Sequence, residues 1–331
     1  MKKILCATFE DGKANIVEVE SSFVRALPSF TIVGLASSSI QEAKDRVKAA
    51  LHAIDFKFPP LKVTINLSPS DIKKSGSHFD LAIALSIALQ KKKVDFKDYF
   101  VFGELGLDGT IKDTNSIFPL ILSLKEFYKD LKVVVPCESV GKISKIPGVK
   151  IYCVENLLEA VDFFVKEEKK EINSETIEAK FIEILGNRYY YEESFPIDFN
   201  EVKGQEVAKR AALISAAGMH NILFEGSPGC GKSMIIKRLR YILPPMSIEE
   251  ILEVAKLSAL DKKEPTFTPI RPFRSPHHSS TKASIFGGGC KYSNIITFYS
   301  QLSTIIQIYL HYLNLQINYF LYFCYFKRNL Q

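Results

Sequence analysis

Cysteine is scarce in this sequence and scattered where it occurs. Cys6, Cys137, Cys153, Cys230, Cys290 and Cys324 form no C-x-x-C pair and show no cysteine–histidine pair at zinc-ligand spacing. That excludes a zinc finger or ribbon and predicts reduced thiols in a cytosolic protein. Charge of one sign is not in large excess either. The 43 Lys and Arg against 37 Asp and Glu leave a net charge of +6, which permits nucleic-acid contact without requiring it. An export leader is also missing: in MKKILCATFEDGK the apolar patch is closed by Glu10 and Asp11 before it could form a signal-peptide core. A cytoplasmic location is therefore expected. With 47% apolar and 24% charged residues in 331 positions, the chain reads as globular and long enough for about two domains.

One motif organises the rest. Gly226, Ser227, Pro228, Gly229, Cys230, Gly231, Lys232 and Ser233 fit the phosphate-loop pattern G-x-x-x-x-G-K-[ST] at every fixed position. Before it, Asn221 to Glu225 (NILFE) has strand character; after it, Met234 to Leu243 (MIIKRLRYIL) has helical spacing. Glycines let the backbone turn its N–H groups inward around phosphates, and the N-terminus of the following helix adds positive partial charge. The pattern predicts an ATP site in which Lys232 reaches the β- and γ-phosphates and Ser233 ligates Mg²⁺.

The preceding chain alternates strands and helices. ILCATFE and NIVEVESSFVR read as a hairpin about Gly12, SFTIVGL as a buried strand, and Ser39-x-x-Glu42 as the capping box of a helix with Ile40, Ala43, Val47, Ala50 and Ile54 on one face. LKVTINL is a strand, and DLAIALSIAL from Asp80 is apolar nearly all round, the mark of a deeply buried helix. Tyr99 to Glu104 and Gly109 to Lys112 read as a hairpin, followed by a helix from Ser116, strands KVVVP and VKIYCV, and a helix from Asn156 to Phe164. Residues 1–165 form a first α+β domain, 166–195 a charged linker, and 196–291 the start of a P-loop α/β domain, so the class is α/β overall. In the second domain a helix should pack through Val207, Ala211, Ile214 and Gly218, with Gly218 as its stop, and Ser247-x-x-Glu250 should cap a later helix.

Several linked segments carry a family resemblance. FTIVGLASSSIQEAKDRVKAAL, FPPLKVTINLSPSDIKKSGSHFDLAIAL and FGELGLDGTIK resemble the N-terminal domain of the ComM (YifB) group of magnesium-chelatase-like proteins. DFNEVKGQEVAKRAALISAAGMHNILFEGSPGCGKS and RPFRSPHH followed by FGGG resemble the opening of that group's AAA+ ATPase domain. The resemblance implies a cytoplasmic AAA+ protein that binds ATP and Mg²⁺, assembles as a homo-oligomeric ring, and remodels DNA by helicase or branch-migration activity during natural transformation. It also implies a first domain with a Lon-protease-like fold. Proteolysis is not expected from it, because His78 rather than serine stands at the position matching the Lon nucleophile. No lysine stands at the matching spot in Ser116-Ile117-Phe118-Pro119, and Ser77 with Lys73 would pair only by chance. Adjacent His277 and His278 suit a structural or DNA-contacting loop better than a metal site, and Arg271 and Arg274 fit either phosphate contact or a solvated basic loop.

The sequence departs from that family after the motif. From Pro265 to Gln331 there is no Asp or Glu, whereas hydrolysis needs carboxylates closing a second strand to serve Mg²⁺ and the attacking water. Glu249, Glu250 and Glu253 lie on an amphipathic helical pattern and Asp261 at its end, so the Walker B element, the sensor and the arginine finger are missing and no catalytic residue is assigned. Tyr292 to Gln331 has no Gly, Ala, Val, Pro, Asp or Glu, and its enriched residues have A/T-rich codons, as in a frameshifted or read-through tail. Polar Gln307, His311, Asn314, Gln316 and Asn318 argue against a membrane span there. The expectation is an ATP-binding, hydrolysis-deficient relative of a DNA-remodelling ATPase. A non-enzymatic remnant or ring-poisoning partner is the alternative, and a metal-chelatase subunit or Lon-like protease a lesser one.

Overall fold

A computed structural model describes residues 2–10, 12–96, 98–166, 170–175, 177–275 and 279, together with the backbone of 309–313 and 316–320. The chain divides into two compact units, Met1–Ile177 with Ser258–Pro265, and Glu178–Leu257 with Thr266–Gln331.

The first unit is built on a seven-stranded mixed sheet in the order β3-β4-β2-β1-β5-β8-β9. β1 (Lys3–Glu10) and β2 (Lys13–Val24) form the expected antiparallel hairpin, with Gly12 at φ +78° in its turn. β3 (Ser29–Val33) lies parallel to β4 (Lys62–Ser68), which pairs antiparallel with β2. Gly34 ends β3 at φ +103°, where an added Cβ would stand 2.2 Å from the Leu67 carbonyl oxygen, so the close approach to β4 admits no side chain. α1 (Ser38–Ala53) buries Ile40, Ala43, Val47, Ala50 and Leu51, the expected face with Leu51 in place of the half-buried Ile54. The expected Ser39–Glu42 capping box is not formed: the N-cap is Ser37, and Ser39 Oγ instead accepts from the Gly76 amide at 3.2 Å, tying the helix start to a distant loop. α2 (Asp80–Ala88) is buried from Asp80 to Ile87, as its uniform apolarity required.

The next stretch differs from its reading as one hairpin. β5 (Tyr99–Val101) enters the main sheet between β1 and β8, and only β6 (Glu104–Leu105) pairs with β7 (Ile111–Lys112). α3 (Ile117–Lys125), β8 (Leu131–Pro136), α4 (Val140–Ile143), β9 (Val149–Val154) and α5 (Leu157–Val165) complete the unit, with Asn156 Oδ1 capping α5 by accepting from the Glu159 amide at 2.9 Å. β5, β8 and β9 run parallel, which sets the end of β8 beside the end of β9 and joins Cys137 to Cys153 as a disulfide. This corrects the expectation of reduced thiols for that pair: spacing along the chain does not reveal a contact made by neighbouring parallel strands. Cys6 and Cys230 are free thiols.

In the second unit β10 (Lys180–Ile184) and β11 (Asn187–Tyr191) form a hairpin inside the stretch read as linker, turning at Leu185 and Gly186, both at positive φ. The mixed charges that suggested a linker lie on a hairpin whose first strand is exposed throughout. α6 (Glu206–Gly218), α7 (Lys232–Leu239), β12 (Met246–Ser247) and α8 (Ile248–Leu260) follow, and the predicted box caps α8, with the Ser247 amide donating to Glu250 at 3.0 Å and the Glu250 amide to Ser247 Oγ at 3.3 Å. α6 presents the opposite face from the one expected. Ala212, Ser215 and Ala216 are buried, whereas Val207 is 86% and Ile214 52% exposed; the small side chains let this face approach its neighbours closely. Nor is Gly218 the left-handed stop, a role taken by Met219 at φ +52°. In the tail, β13 (Tyr309–Leu313) pairs antiparallel with β14 (Gln316–Phe320). Among the described residues no helix is long and apolar enough to cross a membrane.

Candidate nucleotide site

The phosphate-loop motif sits in the second unit at the start of α7. Gly229 and Gly231 hold φ +81° and +88°, left-handed values that disfavour any side chain, and Gly231 is the N-cap of α7. Both glycines thus take a conformation that residues with side chains rarely adopt. Its bottom is a small core of Val202, Ala212, Ala216, Phe224, Ile235, Ile236 and Leu239. α7 is further fixed by Arg238, 9% exposed, whose Nε donates to the Asp198 carbonyl at 2.8 Å and whose guanidinium pairs with Glu201.

Lys232 Nζ spans the loop, donating to the carbonyls of Gly226 at 2.7 Å and Ser227 at 2.8 Å and lying 3.3 Å from Cys230 Sγ. The ammonium thus stands over the turn that a phosphate group would occupy. Ser227, Pro228, Gly229 and Ser233 are exposed, and Gly226, Cys230, Gly231 and Lys232 half-buried, so the loop faces solvent. An open left-handed glycine turn, a lysine within reach and a helix N-terminus fit a nucleoside polyphosphate, and Ser233 in the first turn fits an Mg²⁺ held against it.

Two features differ from the sequence reading. Asn221–Glu225 forms no strand, because it makes no β-ladder with any described residue. Gln205, read only as leading into α6, reaches the loop: its Nε2 donates to the Cys230 carbonyl at 3.4 Å from a left-handed backbone at φ +57°. The Gly204-Gln205 pair was the available signal for that turn.

The other candidates fall elsewhere. Arg271 is 5% exposed, held by both oxygens of Glu250 (3.0 and 3.2 Å) and by the Pro244 carbonyl at 2.9 Å, so it braces the fold and is not placed for phosphate contact. Arg274 is exposed, and His277 and His278 lie outside the described residues. Among the described residues no cluster of His, Cys, Asp or Glu could hold a metal ion. A cavity of about 350 Å³ lies among Tyr191, Phe195, Tyr241, Pro245 and Arg271 and includes no residue of the phosphate loop, so the motif geometry rather than the cavity locates the site. In the first unit, His78 and Ser116, the two positions tested for protease chemistry, are brought within hydrogen-bond distance, 3.0 Å.

Comparison with known proteins covers both units. A family model described as subunit ChlI of Mg-chelatase matches residues 18–139, and another described as magnesium chelatase, subunit ChlI, matches 198–294. The chain is 34% identical over 282 residues to the competence protein ComM of Haemophilus influenzae, covering 84% of this chain and 54% of that protein. It is 33% identical over 281 residues to the protein YifB of Escherichia coli, covering 82% of this chain and 52% of that one. The chain spans about half the length of the curated relatives it matches.

Proposed function

Since the chain belongs to the ComM/YifB family of magnesium-chelatase-like proteins, we propose that it binds ATP with Mg²⁺ at residues 226–233 and does not hydrolyse it. The observation that carries the reading is the phosphate loop itself, with Gly229 and Gly231 left-handed and Lys232 Nζ 2.7–2.8 Å from two loop carbonyls. An arriving phosphate competes with those carbonyls for the ammonium, and the N-terminus of α7 favours its charge. Bound Mg²⁺ would neutralise phosphate charge, with Ser233 as its protein ligand. The reading without turnover rests on residues 265–331 holding no Asp or Glu and on Glu250 being engaged by Arg271 through both its oxygens.

The wider role proposed is that of the family: a part in DNA remodelling, in line with the name competence protein borne by one relative. The Lon-protease-like fold of the first unit is proposed on the sequence resemblance, and a homo-oligomeric ring on the same ground.

The test is titration with fluorescent ATP and Mg²⁺ beside a phosphate-release assay, each against Lys232→Ala. Saturable binding weakened at least tenfold by the substitution, with no release above that control, is the expected result. Release above the control would overturn the hydrolysis-deficient reading.

A further inference from the structure

His78 is 1% exposed and packs at 4.5 Å from Phe79 and 6.1 Å from Phe102, ring centroid to centroid. Gly76 makes room for it, since a Cβ there would stand 2.6 Å from Nδ1 at a backbone φ of +110°. The two ring nitrogens have different partners. Nε2 lies 2.9 Å from the Ala7 carbonyl oxygen, which can only accept, so Nε2 carries the proton. Burial pushes the His78 pKa down to about 4, which keeps the ring neutral and leaves Nδ1 as an acceptor. Ser116 Oγ, 3.0 Å away, therefore donates to Nδ1, and Thr114 Oγ1 donates to Ser116 Oγ at 2.9 Å.

The result is a directed chain from Thr114 through Ser116 and His78 to Ala7. It has the parts of an activated nucleophile: a hydroxyl, a neutral base within reach, and a third group that fixes the base's tautomer. Thr114 and Ser116 are half-buried whereas His78 is enclosed, so the chain runs inward from the two hydroxyl residues. Ser116 is also the N-cap of α3, where the helix dipole favours developing negative charge.

We propose that Ser116 is a nucleophile activated by His78 as general base, able to accept an acyl group from small activated esters. In the step, the Ser116 Oγ–H bond breaks as the proton passes to His78 Nδ1, and Oγ bonds to the ester carbonyl carbon. The tetrahedral adduct collapses with loss of the alkoxide, which takes the proton back from Nδ1. Water repeats the sequence and releases the carboxylic acid, regenerating the Ser116 hydroxyl. The base is a histidine where a serine–lysine dyad has a lysine, and the pair shares no residue with the phosphate loop.

The test uses the full chain. A fluorophosphonate probe, followed by peptide mapping, is expected to label Ser116, with the label lost in Ser116→Ala and slowed about 10²-fold or more in His78→Gln. Should His78→Gln fail to fold, Ser116→Cys serves instead: its mapped alkylation by iodoacetamide should exceed that of a cysteine placed at the exposed Ser70, which has no histidine partner among the described residues. An unlabelled Ser116 in the folded chain, labelling as fast in His78→Gln, or alkylation no faster at 116 than at 70 would each overturn the proposal and leave the chain as an anchor for α3.

Discussion

His78 shows how far a single residue is determined by partners far from it in sequence. The segment Ser77-His78-Phe79 states only that a histidine precedes an apolar helix; its two hydrogen-bond partners lie at Ala7 and Ser116. A buried neutral imidazole has a definite titration signature. Its pKa, about 4 when folded against about 6.5 unfolded, means that the unfolded chain binds the extra proton between those values. The stability associated with His78 is therefore full above pH 6.5 and lost as pH falls toward 4. Asp80 runs the other way: burial pushes its carboxyl up to about 6, against the pull of Arg46, which donates to it at 2.6 and 3.1 Å. Its folded form holds a proton through part of the same window, so acid favours the fold at Asp80 while opposing it at His78. A global melt would blur the two, and the measurement must be site-resolved. Long-range ¹H–¹⁵N NMR should show the Nε2–H tautomer of His78 unchanged from pH 8 to 5; an imidazolium at pH 6 would contradict the buried geometry. The phosphate loop is the opposite case, because glycine and lysine spacing states the required backbone directly and Gly229 and Gly231 adopt it.

At the scale of elements, regular periodicity and the β1–β2 hairpin were legible, and pairing between strands distant in sequence was not. The face of α1 and the all-round burial of α2 follow from apolar spacing alone. The face of α6 did not, because alanines and a serine offer little hydrophobic contrast, and close packing rather than apolar bulk chose Ala212 and Ala216 for the interior. The stretch 221–225 has strand composition and no strand partner among the described residues, so composition without pairing produced no strand. Pairing also decides the cysteines. Cys137 follows β8 and Cys153 lies in β9, the edge strand of the sheet, and their bond closes a sequence separation of 16 residues. A loop of that size corresponds to roughly 3 kcal/mol of denatured-state restriction. Cys153→Ser, or reduction of the wild-type chain, should lower the denaturation midpoint of the first unit by about that free energy, with the variant insensitive to dithiothreitol. A wild-type midpoint unchanged by reductant, with both thiols free to alkylation beforehand, would show the bond unformed in solution.

For the whole molecule, the division into two units sets where ligand energy acts. The first unit rests on a seven-stranded sheet whose strands and helices bury a large apolar core, while the phosphate loop rests on a seven-residue buried cluster of mainly small and medium side chains. The second unit, even with Tyr190, Met246, Ile251, Leu252, Ala255 and Leu257 also buried, encloses fewer apolar side chains than the first, so it should be the weaker of the two. A ligand that binds only its folded form stabilises it by RT ln(1 + [L]/Kd), about 2.7 kcal/mol at a hundredfold excess over Kd. For a domain of 60–100 residues each kcal/mol moves the midpoint by about 4–8 °C, a shift of roughly 10 °C or more. Mg²⁺-ATP should therefore raise the lower of two thermal transitions and leave the upper one in place, and hydrogen exchange should slow in residues 226–239 but not in the sheet of the first unit. Lys232→Ala should remove the shift without moving either transition in the absence of nucleotide, because among the described residues the Lys232 ammonium hydrogen-bonds within its own loop. If the upper transition moved instead, nucleotide would be binding the first unit and the phosphate loop would not be its site.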